Sequence, residues 1–156
     1  MIHIDILGWG TLEVEHIVLD LNGTIATDGK IAPEVKQRIQ SLSEKLKIYI
    51  LTADTQGTAT QETQGIKAQL IKIHGENIGQ EKSQFLKSLP VEQTIAIGNG
   101  GNDQLILKEA ALGIAVLGDE GMSSAALKHA DVIVKNISDA LDLLLKPKRL
   151  IATLRE

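Results

Sequence analysis

Six times after residue 15 the chain runs a short apolar stretch into a longer polar one, and this alternation constrains the fold more than any other feature. His16-Ile-Val-Leu-Asp20 opens the series as a short run with an apolar centre, the pattern of a parallel strand buried on both faces. Pro33 can start the following helix, in which Val35, Ile39, Leu42 and Leu46 share one side. Strands are then expected at residues 47–51, 69–73, 94–97, 113–117 and 131–134, with helices near 56–66, 80–89, 102–111 and 122–129 and from 135 to the end. The helix at 56–66 has weak support, because two glycines and three threonines disfavour it. Ahead of the series, residues 2–6 and 11–14 alternate around Gly8-Trp9-Gly10, as a hairpin does. Successive βα units with right-handed crossovers predict a three-layer, Rossmann-like α/β fold: a mainly parallel sheet with helices on both faces. A single domain over 1–156 is expected, with 1–14 as an N-terminal hairpin extension.

Composition removes several function classes. Aromatics are 2% of the 156 residues and the net charge is −4, so neither base-stacking platforms nor a polyanion-binding surface is expected. No cysteine is present, which excludes disulfides, thiol catalysis and zinc–thiolate sites. No stretch is apolar enough for a membrane span, and Met-Ile-His-Ile-Asp begins no signal peptide. The expectation is a cytoplasmic protein without nucleic-acid or membrane partners.

Parallel sheets bind ligands at the carboxyl ends of their strands, and the unusual polar residues fall there. Asp20, Asn22 and Thr24 follow the first core strand, Thr52 and Asp54 the second, and Asn99, Asn102 and Asp103 the fourth. Each alone has an ordinary explanation: Asp20 can cap a turn, Thr52 can cap a helix, and Lys82 can be a solvated surface charge. Together they suit phosphoryl transfer. Asp20 would be a carboxylate nucleophile, Gly23 would let backbone N–H groups approach phosphate oxygens, and Thr52 would donate to another. Lys82 would be the fixed cation; Lys87 lies farther into its helix. Gly98-Asn-Gly-Gly-Asn-Asp103 is neither a dinucleotide fingerprint nor a Walker loop, since Asp103 stands at the third glycine position and no Gly-Lys-Ser/Thr follows. Its oxygens suit magnesium.

These four segments resemble, in order and spacing, the motifs of the haloacid dehalogenase-like phosphohydrolase superfamily. Residues 98–134 look especially like the phosphorylation domain of P-type ATPases and its small soluble relatives. The resemblance implies Asp20 as nucleophile, and Gly23, Thr24, Thr52, Ala53 and Lys82 around the phosphate. It also implies Mg²⁺ held by Asp20, the Asn22 carbonyl and Asn99, with Asp103 acting through water and Asn102 behind it. Two positions depart from the pattern. Asn22 stands where most such phosphatases carry an aspartate that exchanges protons, and Asn99 where they carry a magnesium-binding aspartate. Slow hydrolysis and weaker magnesium binding are the expectations. The alternative is a phosphate- and Mg²⁺-binding regulatory or assembly module without useful turnover. A response-regulator receiver does not fit, because its acidic pair lies on the first strand and its phosphorylated aspartate later.

Residues 25–51 and 55–81 leave room for one helix and one strand each, so no cap domain is expected. An open site implies a phosphorylated substrate, small or large, or a second copy of the chain closing the site. A homo-oligomer follows as an expectation, with the hairpin adding to a neighbouring sheet edge. His3, His16, His74 and His129 have no metal-ligand spacing and read as structural. Trp9 reads as packing, and Lys146, Lys148 and Arg149 as a solvated basic cluster.

Overall fold

The computed structural model describes residues 1–54 and 57–156. Strands β1 (Ile2–Ile6) and β2 (Gly10–Val14) form an antiparallel hairpin, and six further strands form one parallel sheet. In chain order these are β3 (His16–Asp20), β4 (Lys47–Thr52), β5 (Gln69–Lys72), β6 (Thr94–Gly98), β7 (Leu112–Val116) and β8 (Val132–Val134). Their spatial order is β5-β4-β3-β6-β7-β8. The chain therefore builds one way from β3 and then returns to its other side, which makes the β3/β6 boundary the switch point where such sheets open a crevice.

Every residue of β3, β6 and β7 is buried, as their apolar centres require. One face is covered by α1 (Pro33–Ser43), α6 (Ile137–Leu145), α7 (Pro147–Leu154) and the hairpin. The other carries α3 (Ile78–Lys87), α4 (Gln104–Glu109) and α5 (Ser124–His129). No inserted cap interrupts this arrangement: only the loop at 21–32, α1 and residues 44–46 lie between β3 and β4.

Several expected boundaries move for local reasons. The helix expected at 56–66 is reduced to α2 (Thr58–Glu62); its expected first residue lies outside the described residues. Gly57 and Gly65, both at positive φ, bracket it. The helix expected from residue 80 starts at Ile78, because the Asn77 side chain accepts the Gln80 N–H at 3.2 Å. The helix expected over 102–111 begins as a 3₁₀ turn, Gly101–Asp103, before α4.

The hairpin does not offer its apolar face to a neighbour. Ile4, Ile6, Leu12 and Val14 are buried in the same cluster as Ile17 and Leu19, so this face carries no argument for self-association.

At the opposite end of the sheet from the strand tips, His16 is buried beside Tyr49, ring centroids 5.9 Å apart. Its Nδ1 has no hydrogen-bond partner among the described residues. Burial, reinforced by Lys47, lowers its pKa against a smaller opposite effect of Glu15. The folded state thus binds this proton less tightly than the unfolded chain does. Stability is expected to be intact above the unfolded value of about 6.5 and to fall as pH drops from there through the depressed folded value. Urea unfolding across that window would show it, and His16→Phe should flatten the slope; an unchanged slope in the variant would refute the assignment.

Candidate functional site

Strand register assembles the site before any side chain is considered. Asp20 pairs with Leu51 on β4, and Leu19 with Ile97 on β6. Asp20, Thr52 and Gly98-Asn99 therefore come off three adjacent strand ends at the switch point. α3, which follows β5, delivers Lys82 to the same place.

Lys82 is 1% exposed although it is a lysine. Its Nζ donates to Asp20 Oδ1 at 2.7 Å, Asp103 Oδ1 at 2.8 Å and Asn102 Oδ1 at 3.0 Å. Three donors thus meet three acceptors, which makes burial of an ammonium tolerable. Burial pulls the Lys82 pKa down, but Asp20 and Asp103 outweigh it and hold the pKa above its ordinary value. For Asp20, burial and then the charge of Asp103 outweigh Lys82 and Thr24, so its pKa is pushed up to about 6.

The other Asp20 oxygen is fixed as well. Thr24 Oγ1 lies 3.0 Å from Asp20 Oδ2 and 3.1 Å from Asn99 Oδ1, so two acceptor oxygens converge on one hydroxyl. Gly23, at φ +79°, turns the chain so closely over Asn99 that an added Cβ would collide with its side chain. Gly98 likewise lies against the Asp103 carboxyl, where a Cβ would collide. Asp103 itself is fully buried. Its Oδ2 accepts the N–H groups of Asn99 and Gly100 at 3.1 and 2.9 Å, so it shapes the loop and anchors Lys82 together.

The sequence-predicted residues thus separate into groups. Asp20, Lys82, Thr24, Asn99, Asn102 and Asp103 form one connected hydrogen-bond network. Thr24, expected on phosphate, contacts Asp20, and Asn102, expected behind a metal, contacts Lys82. Thr52 is buried, and its Oγ1 accepts the Asp54 N–H at 3.0 Å, which leaves its proton available. Ala53 and Asn22 are exposed. The Asn22 side chain is joined to no described residue by a hydrogen bond. Sequence reasoning missed the loop after β7: the Gly121 carbonyl accepts the Asn99 side-chain N–H at 3.1 Å and Ser123 N–H donates to the Asn99 carbonyl.

The donor chemistry can be tested against a hard cation. Among the described residues no group of three or more His, Cys, Asp or Glu side chains could hold one, and both Asp103 oxygens are engaged. Asp20 Oδ2 and Asn99 Oδ1 nevertheless face one point, now bridged by the Thr24 hydroxyl. One carboxylate and one amide oxygen fit magnesium that keeps several waters, with less charge than two carboxylates would supply.

Lys82→Met should strand Asp20 and Asp103 beside each other without their cation. We expect a loss of about 3–5 kcal/mol of stability at neutral pH, read by urea unfolding, and a smaller loss in acid, where the pair can take up a proton. A loss below about 1 kcal/mol would show that the pair is solvated.

No family model matches the sequence. The chain is 50% identical over 93 residues to the uncharacterized protein MJ0073 of Methanocaldococcus jannaschii, covering 55% of this chain and all of that protein. It is 28% identical over 142 residues to a soluble P-type ATPase-like phosphatase of the same organism, covering 87% of this chain; it spans about half (51%) of that relative. Among solved structures, 3-deoxy-D-manno-octulosonate 8-phosphate phosphatase from Moraxella catarrhalis, in complex with magnesium ion, phosphate ion and KDO, superposes with a TM-score of 0.72 at 15% identity, covering 92% of this chain and 94% of that one. The cobalt-bound phosphatase of the same kind from Haemophilus influenzae gives 0.71 at 11% identity, with the same 92% and 94% coverage. The chain belongs to one family with MJ0073, and its fold is that of the haloacid dehalogenase-like phosphatases.

Proposed function

We propose that the protein is a magnesium-dependent phosphomonoester hydrolase that works through an aspartyl-phosphate on Asp20. The observation that carries this reading is the double anchoring of Asp20: Oδ1 on Lys82 and Oδ2 on Thr24, inside a buried network at the sheet's switch point. A capping aspartate needs neither a buried ammonium nor a second buried carboxylate beside it.

Asp20 would be ionised at neutral pH, since a pKa of about 6 lies below it. One of its oxygens attacks phosphorus, and the bond to the leaving oxygen breaks with its electron pair. The leaving oxygen takes a proton from water, because Asn22 has none to give. Water then attacks the aspartyl-phosphate, releasing orthophosphate and the Asp20 carboxylate. Lys82 holds the developing charge throughout, while Thr52 donates to a phosphoryl oxygen and Gly23 and Ala53 offer backbone around it. Asp20, the Asn22 carbonyl and Asn99 would hold magnesium, which supplies charge neutralisation of the phosphoryl oxygens.

A second reading is favoured by the two amides. With Asn22 and Asn99 in place of carboxylates, the chain could bind phosphate and Mg²⁺ without turnover. A phosphomonoester panel with and without Mg²⁺, run on wild type and Asp20→Asn, separates the two. Mg²⁺-dependent release of phosphate, lost in Asp20→Asn, supports the hydrolase. Phosphate binding with no release on any ester supports the module, and release that survives Asp20→Asn refutes the nucleophile.

A further inference from the structure

β8 (Val132–Val134) stands at one edge of the parallel sheet, paired with β7 on one side and with no strand on the other. Its register with β7 sets Val132 opposite Ile114, Ile133 opposite Ala115 and Val134 opposite Val116. Val132 and Val134 turn into the same core cluster as Ile114 and Val116, whereas Ile133 shares the opposite face with Ala115. There it is 50% exposed. Leu117 lies two residues beyond Ala115, on the same face by alternation, and is also half exposed. Its N–H donates to the Val134 carbonyl at 2.9 Å. Apolar side chains beside an open strand edge invite another strand.

The charges at this edge would be completed by a second copy of the chain. Residues 131–135 read Asp131-Val-Ile-Val-Lys135, with opposite charges placed symmetrically about Ile133 and both ends exposed. Asp131 Oδ2 accepts the Gly113 N–H at 2.8 Å, which fixes the side chain and leaves its other oxygen open. Lys135 Nζ has no acceptor among the described residues. When two copies pair antiparallel about Ile133, every contact occurs twice. Ile133 then meets Ile133 of the second copy, and each Asp131 meets the other copy's Lys135. Opposite charges and β-branched side chains facing each other are the pairs that stabilise such ladders. The other sheet edge lacks this pattern: β5 is preceded by Lys67 and ends on Lys72 with no acid between them, and edge lysines discourage pairing.

We infer that β8 is a self-association edge, where two copies of this chain join antiparallel about a two-fold axis at Ile133 and their six-stranded sheets become one. The carboxyl end of one sheet then lies beside the amino end of the other. The two Asp20 sites open in opposite directions, so this contact joins the copies and closes neither site. The inference stands apart from the hydrolase reading.

Two short strand edges make a small contact, at the weak end of specific interfaces, so a Kd on the order of 10 µM is expected. Sedimentation equilibrium of the whole chain measures it. Lys135→Glu turns two attractive pairs into two repulsive ones and should weaken the dimer by about tenfold or more; Asp131→Lys should do the same. Mixing the two variants restores both pairs, and the heterodimer should recover most of the wild-type affinity. Asp131→Lys forfeits the bond to Gly113. Should it fold poorly, Ile133→Lys, at an exposed position, sets lysine against lysine on the axis and must abolish the dimer alone. The chain has no cysteine, so Ile133→Cys gives a direct readout. Facing residues of an antiparallel pair lie about 4.5–5.5 Å apart at Cα, within disulfide range, and mild oxidation should yield a covalent dimer. Leu7→Cys, on the exposed turn of the hairpin, should not. A wild type that stays monomeric well above that Kd would overturn the assignment. So would a dimer indifferent to Lys135→Glu and Ile133→Lys, folded charge variants that do not recover on mixing, or equal cross-linking of the two cysteine variants.

Discussion

Acetyl phosphate, or a beryllium fluoride mimic, is expected to modify Asp20 and no other carboxylate, and Asp20→Asn to reduce phosphate release by about 10⁴-fold or more. The prediction rests on position and on charge. Asp20 ends the central strand β3, its two oxygens are separately oriented by Lys82 and Thr24, and it is 7% exposed. Asp103, the other carboxylate on Lys82, has no exposed surface and spends its second oxygen on two backbone N–H groups. It cannot reach a substrate without dismantling the loop. Asn at position 20 keeps shape and leaves Lys82 its contact with Asp103, so the variant should fold and lose chemistry alone. Peptide mapping after labelling decides the point. Modification at Asp103 or Asp54, or none at saturating reagent, would remove Asp20 from the mechanism.

Fold and network differ in how far the sequence revealed them. The sheet was legible because β3, β6 and β7 are buried on both faces and so carry no polar residue except at their ends, a signal independent of partners. The strand-end residues were legible as a set because parallel pairing aligns those ends. What stayed hidden was which polar atom meets which. Thr24 was expected on phosphate and Asn102 behind a metal; the hydrogen bonds they make, to Asp20 and from Lys82, could not be read from position alone. Gly121 gave no signal at all, because it acts through its carbonyl and any residue has one. Helix starts shifted where a side chain, Asn77 or Asp103, took over backbone N–H groups that periodicity cannot see. The hairpin's alternation was read correctly, with Ile4, Ile6, Leu12 and Val14 on the buried side.

Asn22→Asp should raise turnover, by at most about 10²–10⁴ and by less where chemistry does not limit the rate. The aspartate would give a proton to the leaving oxygen and later take one from the attacking water, two steps an amide cannot perform. Residue 22 is placed for this: it is exposed beside the strand end, and no hydrogen bond to a described residue commits its side chain. Both Asn22 and Asn99 precede glycine, a pairing prone to spontaneous deamidation, so the encoded amides could be lost in storage and the comparison spoiled. Deamidation needs the glycine nitrogen to attack the amide carbon. Here Gly23 N–H donates to the Ala26 carbonyl at 2.9 Å and Gly100 N–H to Asp103 Oδ2 at 2.9 Å. Asn99 is further held through both ends of its side chain by Thr24 and Gly121. The folded protein should therefore keep both amides, and Asn99 more firmly than Asn22. Peptide mass analysis beside each assay checks that. If wild type with intact amides matches Asn22→Asp on several esters under single-turnover conditions, proton transfer at residue 22 does not limit the reaction, and the role assigned to residue 22 is wrong.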